Sequence, residues 1–316
     1  MKTNVKLMVI LLVALFSGEY VLAQDRSIRI NTNGARFSSS LIQKWISEYE
    51  KTIQGQHDLK FQIENNAASN ADLSVIAYQP KVEITSDSAS ITLYLAKYAL
   101  IPVANSQNPL ISKIAKRGLK KNELKNILFD KDIFETDEDE DVKKEKYKAS
   151  VYSCDKSSGI TIALANYFEA DPARIKGKKL LGDEIFLLNA LKKDNAGISF
   201  NSINYVYDIQ SRKLKQDIEL LPIQLKQAQK DAFNSKDIDQ VLSLLETQSI
   251  ESVPVEKFGF VVSKKQAADP EIINFVNWIL TEGQKYDHEL GFLHLDENSL
   301  TAEKEKIKEY FTVALK

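Results

Sequence analysis

The chain has one cysteine, three histidines, two methionines and two tryptophans in 316 residues. The lone Cys154 cannot close an internal disulfide, which excludes a disulfide-stapled fold; it reads as a small buried apolar residue. His57, His288 and His294 show no metal-ligand spacing, so neither a zinc site nor a His-based catalytic grouping is predicted, and no cofactor is implied. A formal net charge of −2 gives no electrostatic footprint for nucleic acid, so any anion binding must be local. Beyond the N-terminus no stretch approaches the roughly 20 apolar residues of a membrane span. There is no internal repeat and no Gly/Ser-rich linker.

What the sequence does have begins with Lys2 and Lys6, an apolar run over 7–16, a polar break at Ser17 and Gly18, and Val21-Leu22-Ala23. This pattern predicts a secretory signal peptide over residues 1–23, cut after Ala23. No cysteine follows at a lipoprotein position. The mature chain is therefore expected to be soluble, periplasmic and monomeric, starting at Gln24. Its length suits two domains.

Ile28 and Ile30 alternate with polar neighbours, Gly34 breaks the chain, and Leu41, Trp45 and Tyr49 recur at four-residue spacing. That predicts strand, loop and amphipathic helix. Strands follow over 59–63 and 72–76, and a long apolar stretch over 91–103 ends in a Gln107-Asn108-Pro109 turn. Helices are predicted over 119–129, 157–168, 183–193 and 237–246, with strands over 149–153, 198–200 and 258–262 and an extended segment over 214–225. Near the end, Pro270 opens a helix that Gly283 stops, as helix-end chemistry favours. A short helix over 284–290 and a last helix from 301 complete the pattern. The alternation argues for βαβ units and α/β architecture. The run 135–148 is acidic, then basic, and reads as a solvated loop; calcium capture is the other reading, without the Gly and terminal Glu of an EF-hand.

Gly34 with Leu41 and Trp45, 98–105 followed by Pro109-Leu110, Ala196-Gly197-Ile198-Ser199-Phe200, and the apolar helix ending in Gly283-Gln284, six residues, then Gly291-Phe292-Leu293-His294-Leu295 fall in an order that resembles the periplasmic phosphate-binding proteins of ABC transporters. The resemblance implies a two-lobe periplasmic-binding-protein fold, each lobe a mainly parallel sheet flanked by helices, with ligand in the cleft. It implies residues 24–103 plus 255–316 as the first lobe and 104–254 as the second, with a hinge motion closing them on ligand.

In that family three loops hold phosphate at helix N-termini. The first loop here carries Arg36 and Phe37 with hydroxyls at Ser38 and Ser39, and the second runs from Asp72 into apolar residues ending at Tyr78. The third carries Lys156, Ser157, Ser158, Gly159 and Thr161, with Cys154 and Lys156 where the family shows Arg and Asp. Losing that Arg removes a bidentate oxyanion partner, and losing the Asp removes an acceptor for a phosphate proton. Arg36 and Lys156 either rebuild an anion site from opposite lobes or reach into solvent. The hydroxyls at 157, 158 and 161 are either N-caps or ligand contacts, and Phe37 and Tyr78 are placed as cleft-lining aromatics that favour a larger or partly apolar ligand.

Two functions follow. One is a solute-binding protein that captures phosphate or another small anionic solute and delivers it to a membrane transporter. The other is an envelope protein that keeps the fold, has lost the small-molecule site and contacts a protein partner. No nucleophile and base pair stands out, so an enzyme is not expected.

Overall fold

The computed structural model describes residues 26–54, 59–66, 70–80, 90–130 and 149–314. The expected signal peptide, His57 and the charged run 135–148 lie outside the described residues.

The chain opens with β1 (Arg26–Asn31), in which Ile28 and Ile30 are buried and their neighbours are not. Helix α1 (Ser39–Ile53) follows, burying Leu41, Ile42, Trp45, Ile46 and Tyr49. Spacings of three and four place these side chains on one stripe. β1 then pairs in parallel with β2 (Leu59–Glu64) and with β3 (Leu73–Ile76), the arrangement a helical crossover permits.

The 16-residue β4 (Ser90–Asn105) runs through the middle of the molecule. It is buried almost continuously from Leu93, as expected of a strand covered on both faces. Helices α2 (Pro109–Ile114) and α3 (Lys121–Leu128) come next, then β5 (Ser150–Cys154), α4 (Gly159–Tyr167), β6 (Lys178–Leu180), α5 (Ile185–Leu191), β7 (Gly197–Ser202), α6 (Ile203–Val206), β8 (Ile218–Leu220), α7 (Gln227–Asn234) and α8 (Ile238–Thr247). The chain returns through β9 (Val255–Ser263), α9 (Lys264–Ala267), α10 (Pro270–Thr281) and α11 (Glu297–Ala314).

One sheet joins all the strands in the order β2-β1-β3-β9-β4-β7-β5-β6, with β8 also on β4. From Ser90 to Ala99, β4 is antiparallel to β9; from Leu100 onward it is antiparallel to β7, and from Val103 to β8. A strand that changes partner midway divides the sheet into two lobes, one on β1–β3 and the other on β5–β7. The strands of β1–β3 and of β5–β7 are parallel, whereas β4 and β9 are antiparallel to their neighbours, so the whole sheet is mixed.

The expected two-lobe α/β architecture is present, with local departures that have physical causes. The segment 214–225 yields only three strand residues in β8, and Pro222 supplies no ladder donor just beyond it. The Gln107-Asn108-Pro109 turn is a helix start: Asn108 accepts from Leu110 N and Pro109 takes the first helical position of α2. Helix α7 buries only Gln229 and Phe233, leaving no apolar period to read. The segment expected as a short helix over 284–290 forms two 3-10 turns, Gly283–Tyr286 and His288–Leu290.

Candidate functional site

Three loops converge where the lobes meet: the turn after β1, the end of β3 at Ala77-Tyr78, and the start of α4. Gly34 takes a left-handed conformation, φ +84°, which aims its carbonyl at the other lobe. There it accepts the Gly159 backbone N–H at 3.2 Å. A Cβ placed on Gly159 would sit 2.8 Å from Gly34 O and 3.2 Å from the Ala77 Cβ. An oxyanion between these loops needs a hydrogen bond of about 2.8–3.0 Å on each side plus its own width. The loops are in direct contact instead.

The donors just before the helix, those of Ser157 and Ser158, are used internally. Ser157 N and Oγ donate to the Asp155 carboxylate at 2.9 and 2.7 Å, and Ser158 N donates to Asp155 O at 3.0 Å. The N–H of Ser157, then its hydroxyl, holds the Asp155 carboxyl below the usual carboxylate range. Asp155 is thus a built-in anion at the end of the helix that favours one.

The other sequence-nominated residues divide by lobe and by partner. Ser38 is fully buried and donates to Ala35 O at 2.7 Å, Ser39 bonds Thr32 Oγ1 at 3.3 Å, and Thr161, also fully buried, donates to Cys154 O at 3.3 Å. Ser158 caps α4 by position, without a side-chain capping bond. Phe37 is 2% exposed and packs on Tyr98, Phe258 and Phe292 with ring centroids 4.4, 6.0 and 6.2 Å away, so it belongs to the first-lobe core. Tyr78 is half-buried; its carbonyl faces the Tyr94 hydroxyl at 3.4 Å. Lys156 and Ser157 are exposed. Arg36 is half-buried and reaches the second lobe, its Nη1 3.4 Å from the position of a Cβ on Gly182. Cys154 is buried, and burial pushes its thiol up to about 12, so it is chemically inert.

Sequence reading missed the residues that tie the lobes together. Asn204 of α6 donates to Phe37 O at 2.9 Å, and Asn166 of α4 donates to Gln79 O at 3.2 Å. Two residues beyond Gly182, Glu184, 4% exposed, accepts from Ser202 N at 2.6 Å and Ser202 Oγ at 3.1 Å. Burial pushes its carboxyl up to about 8 in spite of the two Ser202 bonds. Asp183 beside it accepts from the Tyr205 hydroxyl at 2.7 Å. No local motif announces these contacts, because each joins segments distant in sequence.

Two lobes that share the strands β4 and β9 and meet at these loops define the periplasmic-binding-type fold. Solved structures share it. A putative phosphate ABC transporter substrate-binding protein with bound phosphate from Clostridium perfringens aligns over 86% of this chain and 100% of its own at 10% identity, TM-score 0.56. An ABC-type phosphate transport receptor from Vibrio cholerae aligns over 85% of this chain and 100% of its own at 15% identity, TM-score 0.52. A full-length BenM variant aligns over 93% and 78% at 11% identity, TM-score 0.50. No family model matches the sequence, and neither does any curated protein. At these identities the likeness is one of fold. No described helix is long and apolar enough to cross a membrane.

Proposed function

We propose that this chain is an envelope protein that keeps the solute-binding fold, fills its anion cradle with its own backbone, and acts by contacting a protein partner. The observation that carries this reading is the Gly159 N–H to Gly34 O bond, with Asp155 holding Ser157 and Ser158 just before the helix. Burying phosphate there would mean giving up those internal bonds without the Arg and Asp that the resemblance leads one to expect. Leu181, just before Gly182, and Phe186, at the start of α5, are the two large hydrophobic side chains that stand exposed among the described residues, and the Phe186 ring and Arg36 both approach Gly182, which supports contact with another protein where the lobes meet. The working lobe division is 24–103 with 255–316 and 104–254, supported by the partner change along β4. Export by a signal peptide over 1–23 belongs to the same reading.

The second reading is a small anionic solute, such as phosphate, carried to a membrane transporter. It is favoured by the fold shared with the phosphate-binding neighbours and by two cations, Arg36 and Lys156, on the loops that meet at Gly159. Thermal unfolding against phosphate, sulfate and small organic acids separates the two. The partner reading expects midpoints unchanged within about 1 °C at millimolar anion. A ligand at about a thousand times its dissociation constant adds ~4 kcal/mol, enough to raise the midpoint by several degrees, and a rise of that size lost in Arg36→Ala or Lys156→Ala would establish the solute reading.

A further inference from the structure

Two histidines that look unrelated in the sequence are stacked at the lobe boundary, each beside a carboxylate. Gly291, at φ +81°, reverses the chain between them, and a Cβ there would meet Asn204 Cα and Cβ at 3.0 Å, so the turn requires glycine. The rings of His288 and His294 lie face to face, centroids 4.4 Å apart and planes 9° from parallel. Glu246, from α8 of the second lobe, places Oε1 2.8 Å from His288 Nε2 and accepts the His294 backbone N–H at 2.9 Å. Asp287, fully buried, places Oδ2 3.4 Å from His294 Nδ1.

The charges around this stack leave its balance to the imidazoles. From the second lobe, Arg212 donates to His288 O and Glu289 O at 2.9 Å each, and its charge is paired with Asp239 of α8. From the first lobe, Lys44 of α1 lies 3.4 Å from both Glu48 and Glu289, Lys285 lies 3.5 Å from Glu282, and Lys97 of β4 lies 3.6 Å from Asp296. Asn204 of α6 and Gln284, which also face the turn, are neutral. Among the described residues, Glu246 and Asp287 are thus paired with His288 and His294 and with no other cation. With both rings protonated the four groups are neutral as a set, and each ring has an anion beside it, which offsets the repulsion within the stack. With both rings neutral, two carboxylates are left in a largely buried place without a counter-charge, which is costly. The His288 and His294 side chains keep 30% and 37% of their surface exposed, so protons reach them without unfolding.

We propose that His288 and His294 form a proton-operated clasp between the lobes: protonated, they hold Glu246 of the second lobe to the turn of the first, and on losing their protons they let it go. The directions of titration agree with this. The Asp287 carboxylate keeps a proton on His294 to higher pH than an ordinary imidazole, against the effect of burial. Burial, opposed by His294, pushes the Asp287 carboxyl up to about 7, and groups this close titrate as a pair. At Glu246 burial acts upward, but the His288 contact and then the His294 N–H outweigh it and bring the carboxyl below its ordinary value. Groups raised in the clasped state favour it fully below their free values, and that preference is lost as pH rises through the raised ones; the share of Glu246 is lost only as pH falls through its lowered value. The clasp is therefore closed in mildly acidic solution and opens as pH rises past neutrality, the range in which histidine changes charge. It acts on the lobes themselves, whether a protein or a solute is the partner.

Proton NMR of the full-length protein tests the first step, since His57, His288 and His294 are its only histidines. His294, assigned by the signal missing from His294→Gln, is expected to titrate above ~6.5; titration at or below that value would overturn the proposal. Urea unfolding of the parent, Glu246→Gln, His288→Gln and the double variant tests the second step as a double-mutant cycle across the lobe boundary. At pH ~5.5 the two side chains should be coupled by about fivefold or more in the unfolding equilibrium constant, and at pH ~8.5 by less than about twofold. No coupling at the lower pH, or equal coupling at both, would sink the clasp. Hydrogen exchange of the parent needs no variant: the His294 N–H, which donates to Glu246, should be about tenfold less protected at pH ~8.5 than at pH ~5.5 after correction for the intrinsic rate, and equal protection would count against the proposal. None of these residues lies in the Gly34–Gly159 contact, so the outcome is separate from that of the anion panel.

Discussion

At the scale of single residues, Gly159 is a point where the two lobes meet backbone to backbone. Its N–H is spent on Gly34 O, and the space beside its Cα is taken by that oxygen and by Ala77. Gly159→Ala therefore demands that the loops part by a few tenths of an ångström or more. Overpacking of this kind costs about 1–3 kcal/mol, so the unfolding midpoint should fall by several degrees. Because the clash is between lobes, part of the strain can be relieved by opening them, and small-angle scattering should show a larger radius of gyration. A variant with an unchanged midpoint and radius would mean that the lobes do not rest on this contact in solution. The residue's sequence neighbourhood, Ser157-Ser158-Gly159, marked a helix start, and the helix does start there. What occupies that start was not legible: Gly34 lies 125 residues earlier, and Asp155 looks like any loop acid until its carboxylate is seen on Ser157.

At the scale of elements, β4 and β9 are the members that both lobes depend on. Their pairing is irregular between Tyr94 and Ala96, opposite Gly259. A Cβ on Gly259 would lie 1.9 Å from Leu93 O and 2.6 Å from Tyr94 Cα, and both are backbone atoms that cannot swing aside. Gly259→Ala should thus break the central pairing, with a loss above about 3 kcal/mol and poor soluble yield; urea unfolding would measure it. Elements with strong periodicity or explicit ends were readable before any coordinates. Ile28 and Ile30 marked β1, the Leu41, Trp45 and Tyr49 stripe marked α1, and Pro270 with Gly283 bounded α10, where Asp269 also accepts from Glu271 N. Elements defined by tertiary contact were not readable. Helix α7 is polar and is held by its packing on α8, and the stacking of His288 on His294 depends on a left-handed Gly291 and on Glu246, more than forty residues away. Neither leaves a periodic trace.

At the scale of the whole molecule, the balance of buried and exposed carboxyls sets how stability responds to pH. Burial raises Glu184 to about 8 and Glu256 to about 7, from ordinary values near 4.5. For such groups the folded state holds a proton that the unfolded state releases. Their contribution is complete below the unfolded value and is lost as pH rises through the folded one. Asp155 and Asp194 are shifted the opposite way, Asp155 chiefly by the Ser157 N–H and Asp194 chiefly by hydrogen bonding from the Ser150 side chain. Their stabilising effect is lost only as pH falls through values below the usual carboxylate range, so the two windows do not overlap. Burial raises Asp287 to about 7 as well, so between pH ~5 and ~8 these three carboxyls should dominate, and the unfolding midpoint should decline with rising pH. Glu184→Gln isolates one of these contributions, since an amide can still accept from Ser202 through its oxygen and carries no charge at any pH. Relative to the parent, this variant should gain stability steadily from pH ~5 to ~8 and level off above. A shift of one pH unit corresponds to ~1.4 kcal/mol, so the total is on the order of a few kcal/mol. Parallel curves for parent and variant across that range would mean that Glu184 titrates as an ordinary carboxyl. The second lobe would then have to be looser around Ser202 than its buried hydrogen bonds imply.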